Sequence, residues 1–425
     1  MKIVAVGSRK TENGQPGGPA DDCAWLRRFG SMLVAHEPEK NIKIKDHTGA
    51  QHTIRKVGDL WDDDVLYEKP DVLIIMAGES EAYQQTHNGD LPPEEFETIY
   101  TRLMESARKN LPDCMIVLMD PYIASPWRSA YASHGRATDV LKAYIDITRK
   151  MAEQYQAVHV ATQGCIDHQM KLRGAEAMGP DPTNLNLEGH LLIAQALLDA
   201  LSETGPYAPQ LRIEDGQTMV FIGDSITDAG RRQAASMPLG YGYVRVFTDL
   251  QAVREPEKNI RFINRGIGGE VIGHLQERWE ADVLQYKPDW LSVKIGINDV
   301  NRHLARPDFE ELCGPEKYRE IYDDVLTRTR ETNPDCNILL IDPYLLSHAE
   351  SDFSYWAKVM RKLPEYQQAV SDMAERFDAF HIKTHDLFQK HMKYRPYRAF
   401  GREPVHPNET GVLVIAEAVY EALSE

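Results

Sequence analysis

The hexapeptide Glu-Pro-Glu-Lys-Asn-Ile occurs twice, at residues 37–42 and again at 255–260, which are 218 positions apart. The same offset links Trp61 to Trp279 and Lys69-Pro70-Asp71 to Lys287-Pro288-Asp289. Further along it becomes 222, linking Pro112-Asp113-Cys114 to Pro334-Asp335-Cys336 and Asp120-Pro121-Tyr122 to Asp342-Pro343-Tyr344. It is still 222 for Met151-Ala152-Glu153 with Met373-Ala374-Glu375, and for the final Ala-Leu-Ser-Glu of each half. A near-constant offset changed only by short insertions marks a tandem duplication. Each copy is long enough to fold alone, so the 425 residues divide into two domains of one fold, 1–205 and 211–425. The seam is Thr204-Gly205-Pro206-Tyr207-Ala208-Pro209-Gln210, whose glycine and prolines suit a linker.

Each half alternates short apolar runs with amphipathic stretches. In the second half the runs are 219–222, 260–263, 290–295, 337–341 and 379–382. Val414, Ile415, Ala418, Val419, Ala422 and Leu423 then fall at helical spacing, and the first half carries the equivalent set Leu192, Ile193, Ala196, Leu197, Ala200 and Leu201. Short buried strands alternating with helices predict a parallel sheet covered on both faces, an α/β architecture. Ligands in such sheets bind beyond the carboxyl ends of the strands.

Charge and cysteine content narrow the function. With 48 basic against 65 acidic residues the net charge is −17, a surface that repels nucleic acid and anionic membranes. No apolar run reaches the length of a membrane span, and the apolar part of the N-terminus (Ile3 to Val6) is too short for a signal-peptide core, so a cytoplasmic location is expected. Cys23, Cys114, Cys165, Cys313 and Cys336 contain no Cys-x-x-Cys pair and are read as reduced thiols, with no disulfide framework or zinc site. The expected partner is a small molecule.

Four segments of the second half fall where strands end. They are Gly223-Asp224-Ser225-Ile226-Thr227, Asn264-Arg265-Gly266-Ile267-Gly268-Gly269, Gly296-Ile297-Asn298-Asp299 and Glu403-Pro404-Val405-His406-Pro407-Asn408. A serine hydroxyl is a weak nucleophile until a base takes its proton, and an imidazole titrates in the right range to do so. A carboxylate three residues before that histidine can fix its tautomer. Attack on a carbonyl creates an oxyanion, for which the Ser225 N–H, the Gly268 N–H and the Asn298 side-chain amide are donors from three loops. Singly each piece has a plain structural reading: Ser225 and Asn298 as helix caps or turn formers, Gly268 as a tight turn, His406 as a loop residue. Together, in this order and at these boundaries, they form a catalytic set.

These four blocks resemble the SGNH, or GDSL, family of serine esterases and lipases over roughly residues 217–425. The resemblance implies two tandem flavodoxin-like three-layer α/β/α domains, each with a five-stranded parallel sheet in the order 2-1-3-4-5. It implies ester hydrolysis through an acyl-serine with Ser225 as nucleophile, His406 as base, Glu403 as orienting acid, and Ser225, Gly268 and Asn298 in the oxyanion hole. No metal or organic cofactor is expected. Where the family usually carries aspartate three residues before the histidine, this chain has Glu403. The block pattern is most similar to the bacterial carbohydrate-esterase branch, near intracellular acetylxylan esterases. That implies acetyl groups on sugars as substrate. A short-chain lysophospholipase or thioesterase is the alternative within the class, and a non-catalytic carbohydrate-binding protein with a decayed triad the alternative outside it.

The first half lacks the set. Arg9 stands where Ser225 stands, Thr48-Gly49-Ala50 faces Gly266-Ile267-Gly268, Ser80 replaces Asn298 and Asn184 replaces His406. A one-residue slip would match Ser8 to Ser225 but restores no histidine. The first domain is expected to be non-catalytic, stabilising the second by an intramolecular pairing that stands in for a homodimer, with homo-oligomerisation also open. Tyr355 and Trp356, in the aromatic segment Phe353-Ser354-Tyr355-Trp356, are candidate substrate contacts. His381 and His385 are read as structural, and Tyr394, Arg395, Tyr397, Arg398 and Arg402 as a solvated loop.

Overall fold

A computed structural model describes residues 1–8, 24–49, 52–88, 91–124, 132–179, 185–202, 209–233, 235, 237–306 and 313–425. The chain separates into two units, Met1–Ala208 and Pro209–Glu425.

In the first unit the strands are β1 (Lys2–Ser8), β2 (Lys43–Gly49), β3 (Val72–Met76), β4 (Met115–Met119) and β5 (Val158–Val160). In the second they are β6 (Thr218–Gly223), β7 (Arg261–Asn264), β8 (Trp290–Lys294), β9 (Asn337–Ile341) and β10 (Phe380–Ile382). The sheets run β2-β1-β3-β4-β5 and β10-β9-β8-β6-β7, so each has the expected order 2-1-3-4-5. All neighbouring strands are parallel. The central strands β3 and β8 are buried along their whole length, as a sheet covered on both faces requires.

The repeat extends to individual hydrogen bonds. Asp71 Oδ2 accepts the Lys2 N–H at 2.5 Å and Asp289 Oδ2 accepts the Thr218 N–H at 2.8 Å, tying the first and third strands of each sheet at their amino ends. His159 meets Asp120 at 2.7 Å and His381 meets Asp342 at 2.6 Å. The last helices, Leu187–Leu201 and Glu409–Ala422, are each capped by an asparagine: Asn186 accepts from Gly189 N–H at 3.0 Å, Asn408 from Gly411 N–H at 3.1 Å. In Glu409–Ala422 the buried face differs from the one the spacing suggested: Val414, Ile415 and Val419 are buried, while Ala418 and Ala422 are half-buried. Leu413, Ala416, Glu417 and Tyr420 are buried too, because the helix lies between the sheet and helix Tyr243–Arg254, whose Arg254 pairs with Glu417 at 2.7 Å.

Candidate active site

The second sheet reverses its winding between β6 and β8, and the crevice outside their carboxyl ends is where this topology leaves room for a ligand. Strand β6 ends at Gly223, paired with Lys294. A Cβ on Gly223 would stand 2.1 Å from the Lys294 carbonyl oxygen, so only glycine lets the chain leave the strand here. Asp224 then caps a single helical turn, Ser225–Asp228, its Oδ1 accepting the Ile226 N–H at 2.9 Å. Ser225 is thereby presented at the head of the turn. Asn264, at the end of β7, clamps the turn from the side by donating to the Thr227 carbonyl at 2.6 Å. Gly266 packs directly against it, since a Cβ there would meet Asp228 N at 2.3 Å.

His406 arrives from the loop before the last helix, and its Nε2 lies 2.9 Å from Ser225 Oγ. The loop is shaped by Glu403. Its Oε2 accepts the Val405 N–H at 2.9 Å and its Oε1 accepts the His406 N–H at 2.8 Å. His406 Nδ1 also contacts Glu403 Oε1. A carboxylate at Nδ1 keeps the proton on that nitrogen and leaves Nε2 to accept from the serine hydroxyl. The glutamate therefore reaches the imidazole in spite of its extra methylene. Leu346 N–H donates to the Pro404 carbonyl at 2.7 Å and pins the loop to the segment beyond β9. The acid and base are both open to water, with side-chain exposures of 43% for Glu403 and 53% for His406, so their mutual attraction is screened.

The expected oxyanion donors gather at the same edge. A Cβ on Gly268 would lie 3.6 Å from Ser225 Cβ, but the Gly268 N–H donates to Asp228 Oδ2 at 3.0 Å. Asp228 Oδ2 also accepts from Arg232 Nε at 3.0 Å. The Asn298 amide donates one hydrogen to the Glu270 carbonyl at 3.0 Å, which fixes its orientation and leaves the second N–H. Just past Asn298, Asp299 is fully buried. It accepts the Ile272 N–H at 3.0 Å, and burial pushes its carboxyl up to about 7.

Tyr355 and Trp356 stack edge to face with centroids 5.3 Å apart, and the Tyr355 hydroxyl donates to Asn301 Oδ1 at 2.8 Å. Asn301 lies one turn beyond Asn298 on helix Ile297–Ala305, so Tyr355 flanks that helix. His381 sits on β10 against Asp342. His385 lies on helix Thr384–Met392 and accepts the Leu345 N–H at 3.3 Å, the place Gln163 fills for Ile123 N–H in the first unit. Both histidines hold backbone or carboxylate partners inside the fold.

In the first unit, Gly7 pairs with Met76 as Gly223 pairs with Lys294, and this register puts Ser8 at the place of Asp224. Ser8 Oγ lies 3.0 Å from Ser80 Oγ, and Glu81 takes the part of Asp299, with its carboxyl also pushed up to about 7 by burial. Arg9, Ala50 and Asn184 lie outside the described residues.

Three residues at this edge were missed in the sequence. Asn264 sits inside a signature block and Asp228 directly follows one, where their side-chain contacts decide their importance. Lys294 carried a visible signal, a lysine in the otherwise unionised strand Trp-Leu-Ser-Val-Lys.

Comparison with known proteins bears on the second unit. A family model of GDSL-like lipases/acylhydrolases matches residues 221–412. An acetylxylan esterase of Geobacillus stearothermophilus is 34% identical over 214 residues, which span 49% of this chain and 94% of that protein. The Bacillus subtilis (strain 168) protein YpmR, uncharacterized, is 23% identical over 252 residues, 55% of this chain and 92% of that one. A crystal structure of the Geobacillus stearothermophilus acetylxylan esterase Axe2 shares 31% identity, with 50% of this chain and 96% of that one covered and a TM-score of 0.46. Variants of it described as catalytic mutants replace a serine, an aspartate or a histidine. The chain belongs to the family of GDSL-like lipases/acylhydrolases, through its second unit, and is an acyl esterase of that family.

Proposed function

We propose that residues 211–425 form a carbohydrate O-acetylesterase domain and that residues 1–205 form a non-catalytic copy of it. The observation that carries the reading is the 2.9 Å contact between Ser225 Oγ and His406 Nε2, with Glu403 on the other ring nitrogen. In this reading Ser225 attacks the acetyl carbonyl, His406 takes the hydroxyl proton and passes it to the departing sugar oxygen, which leaves as a free hydroxyl, and water then clears the acyl-serine with His406 as base again. Glu403 holds the imidazole tautomer. The second Asn298 N–H, with the Ser225 and Gly268 amides, receives the oxyanion. Gly268 joins only once its N–H turns from Asp228. The similarity to an acetylxylan esterase over 94% of that protein supports an acetylated sugar as substrate. Tyr355 and Trp356 supply a ring surface for it.

The test is a series of p-nitrophenyl esters from acetate to octanoate, run beside acetylated xylo-oligosaccharides. Rates are expected to fall sharply beyond butyrate, with acetate released from the sugars. Equal or rising rates on long acyl chains would favour a lysophospholipase or thioesterase instead. Asn298→Ala is expected to lower kcat by about 10²–10³-fold with KM little changed, because that donor acts on charge developed only in the transition state. A change confined to KM would assign Asn298 to ground-state binding.

A further inference from the structure

Strand β8 carries a lysine where the central strand of a doubly covered sheet calls for an apolar residue. Lys294 is 0% exposed, its ammonium meets no hydrogen-bond partner, and it stands 4.7 Å from the centroid of the Tyr344 ring. The Lys294 carbonyl accepts the Asp224 N–H at 3.3 Å, so the two residues lie side by side at the carboxyl edge of the sheet. Asp224 is buried too, and its Oδ2 has no partner. Unpaired buried charge is costly and is not kept for packing.

The duplication supplies an internal control. At the register position of Lys294 the first unit has Met76, and at that of Asp224 it has Ser8, each 2% exposed. The surroundings are otherwise retained. Asp120–His159 matches Asp342–His381, buried Tyr122 matches buried Tyr344, and Glu81 matches Asp299. The same fold thus closes over this strand without either charge. The charges are found in the copy that holds Ser225 and His406.

We propose that Lys294 is a positioning residue for Ser225: its buried ammonium attracts the neighbouring buried Asp224 carboxylate through space, without a direct hydrogen bond, and so steadies the turn that carries the nucleophile. The proposal rests on the esterase reading of this site. A charge inside the sheet edge is poorly screened and acts over a longer range than one at the surface. Burial pushes the lysine's proton affinity down, while Asp224 and Asp342 pull it back up. Tyr344 links the two levels of the site, since its hydroxyl feels the charges of both Asp224 and Glu403. The other groups around the cluster are Asp342, tied to His381 of β10, with Asp386 beside them; Asp299 and the Tyr243 phenol; and the Asp228–Arg232 pair at Gly268.

The test is Lys294→Met, the residue found in the first unit. It is expected to fold with an unchanged or higher thermal midpoint. Its kcat on p-nitrophenyl acetate is expected to fall ~10-fold with KM within ~2-fold. Exchange of the Ile226 amide hydrogen, which Asp224 Oδ1 accepts, should quicken ~10-fold in the same variant. Lys294→Arg, which keeps the charge, should restore most of the wild-type kcat and the slow exchange, and serves if the methionine variant does not fold. Wild-type kcat and unchanged exchange in Lys294→Met would overturn the proposal, as would a loss that merely follows a falling thermal midpoint. Quickened exchange in a protein without Ser225-dependent turnover would sink the esterase reading and leave the placement of Lys294 standing; turnover with unchanged exchange would sink the placement alone.

Discussion

Ser225→Ala is expected to reduce ester turnover by about 10⁴-fold or more while the protein keeps its fold. The substitution removes the oxygen that the proposed mechanism uses to form the acyl bond, and among the described residues no other hydroxyl contacts the His406 ring. The nearest serine equivalent in the other copy, Ser8, falls at the position of Asp224 and hydrogen-bonds to Ser80. Stability should hardly change. Among the described residues Ser225 Oγ bonds only to the exposed His406 ring, whereas the turn is held by backbone bonds and by the Asp224 and Asn264 side chains. Hydrolysis of p-nitrophenyl acetate, with circular dichroism melting on the same samples, checks both halves. Turnover within tenfold of wild type in the alanine variant would overturn the serine mechanism and move attention to a site elsewhere in the chain.

The second large effect is on stability. Asp299 has an ordinary carboxyl value of 3.8, and burial raises it to about 7 in the folded state. Between these values the folded protein keeps a proton that the unfolded chain has released. Stability contributed here is therefore fully present below pH 3.8, falls as pH rises through the window and levels off above about 7. A shift of about three units corresponds to on the order of 4 kcal/mol. Asp299→Asn keeps an oxygen for the Ile272 N–H and removes the titration. The variant is expected to gain on wild type steadily from pH 4 to pH 7, by up to that amount, and by no more above it. Urea unfolding at pH 4, 5.5, 7 and 8, following the transition that the substitution shifts, gives the difference directly. A gap between variant and wild type that stays constant with pH would mean that Asp299 is ionised in the folded protein. Glu81 places a term of the same sign in the first unit, so wild type alone does not isolate the effect.

Much of this was legible because it rests on local rules. Five short apolar runs in the second half, alternating with helical stretches and matched by the repeat in the first half, read as a parallel sheet, and the two sheets have that form. Ser225, His406, Gly268 and Asn298 were legible as a group because each follows a strand or precedes a helix, and a parallel sheet collects those ends at one edge. The hydrogen bond from Gly268 N–H to Asp228 was not legible, since it joins residues 40 positions apart through a side chain that a motif treats as a neighbour of the nucleophile. Lys294 was passed over for a similar reason: in one dimension it is one polar residue in a strand, and its meaning depends on Gly223 and Asp224 across the ladder.

The sequence by itself determined the duplication, the strand count, the parallel alternation and which loops follow the strands at the sheet's carboxyl edge, because spacing and hydrophobic period are properties of the chain. Only the tertiary structure decided that Glu403 reaches His406 despite its added methylene, that Ser8 stands in register with Asp224, and that one copy buries a lysine and an aspartate where the other buries a methionine and a serine. Those facts depend on distance across strands and on exclusion of water, and neither is written in the order of residues along the chain.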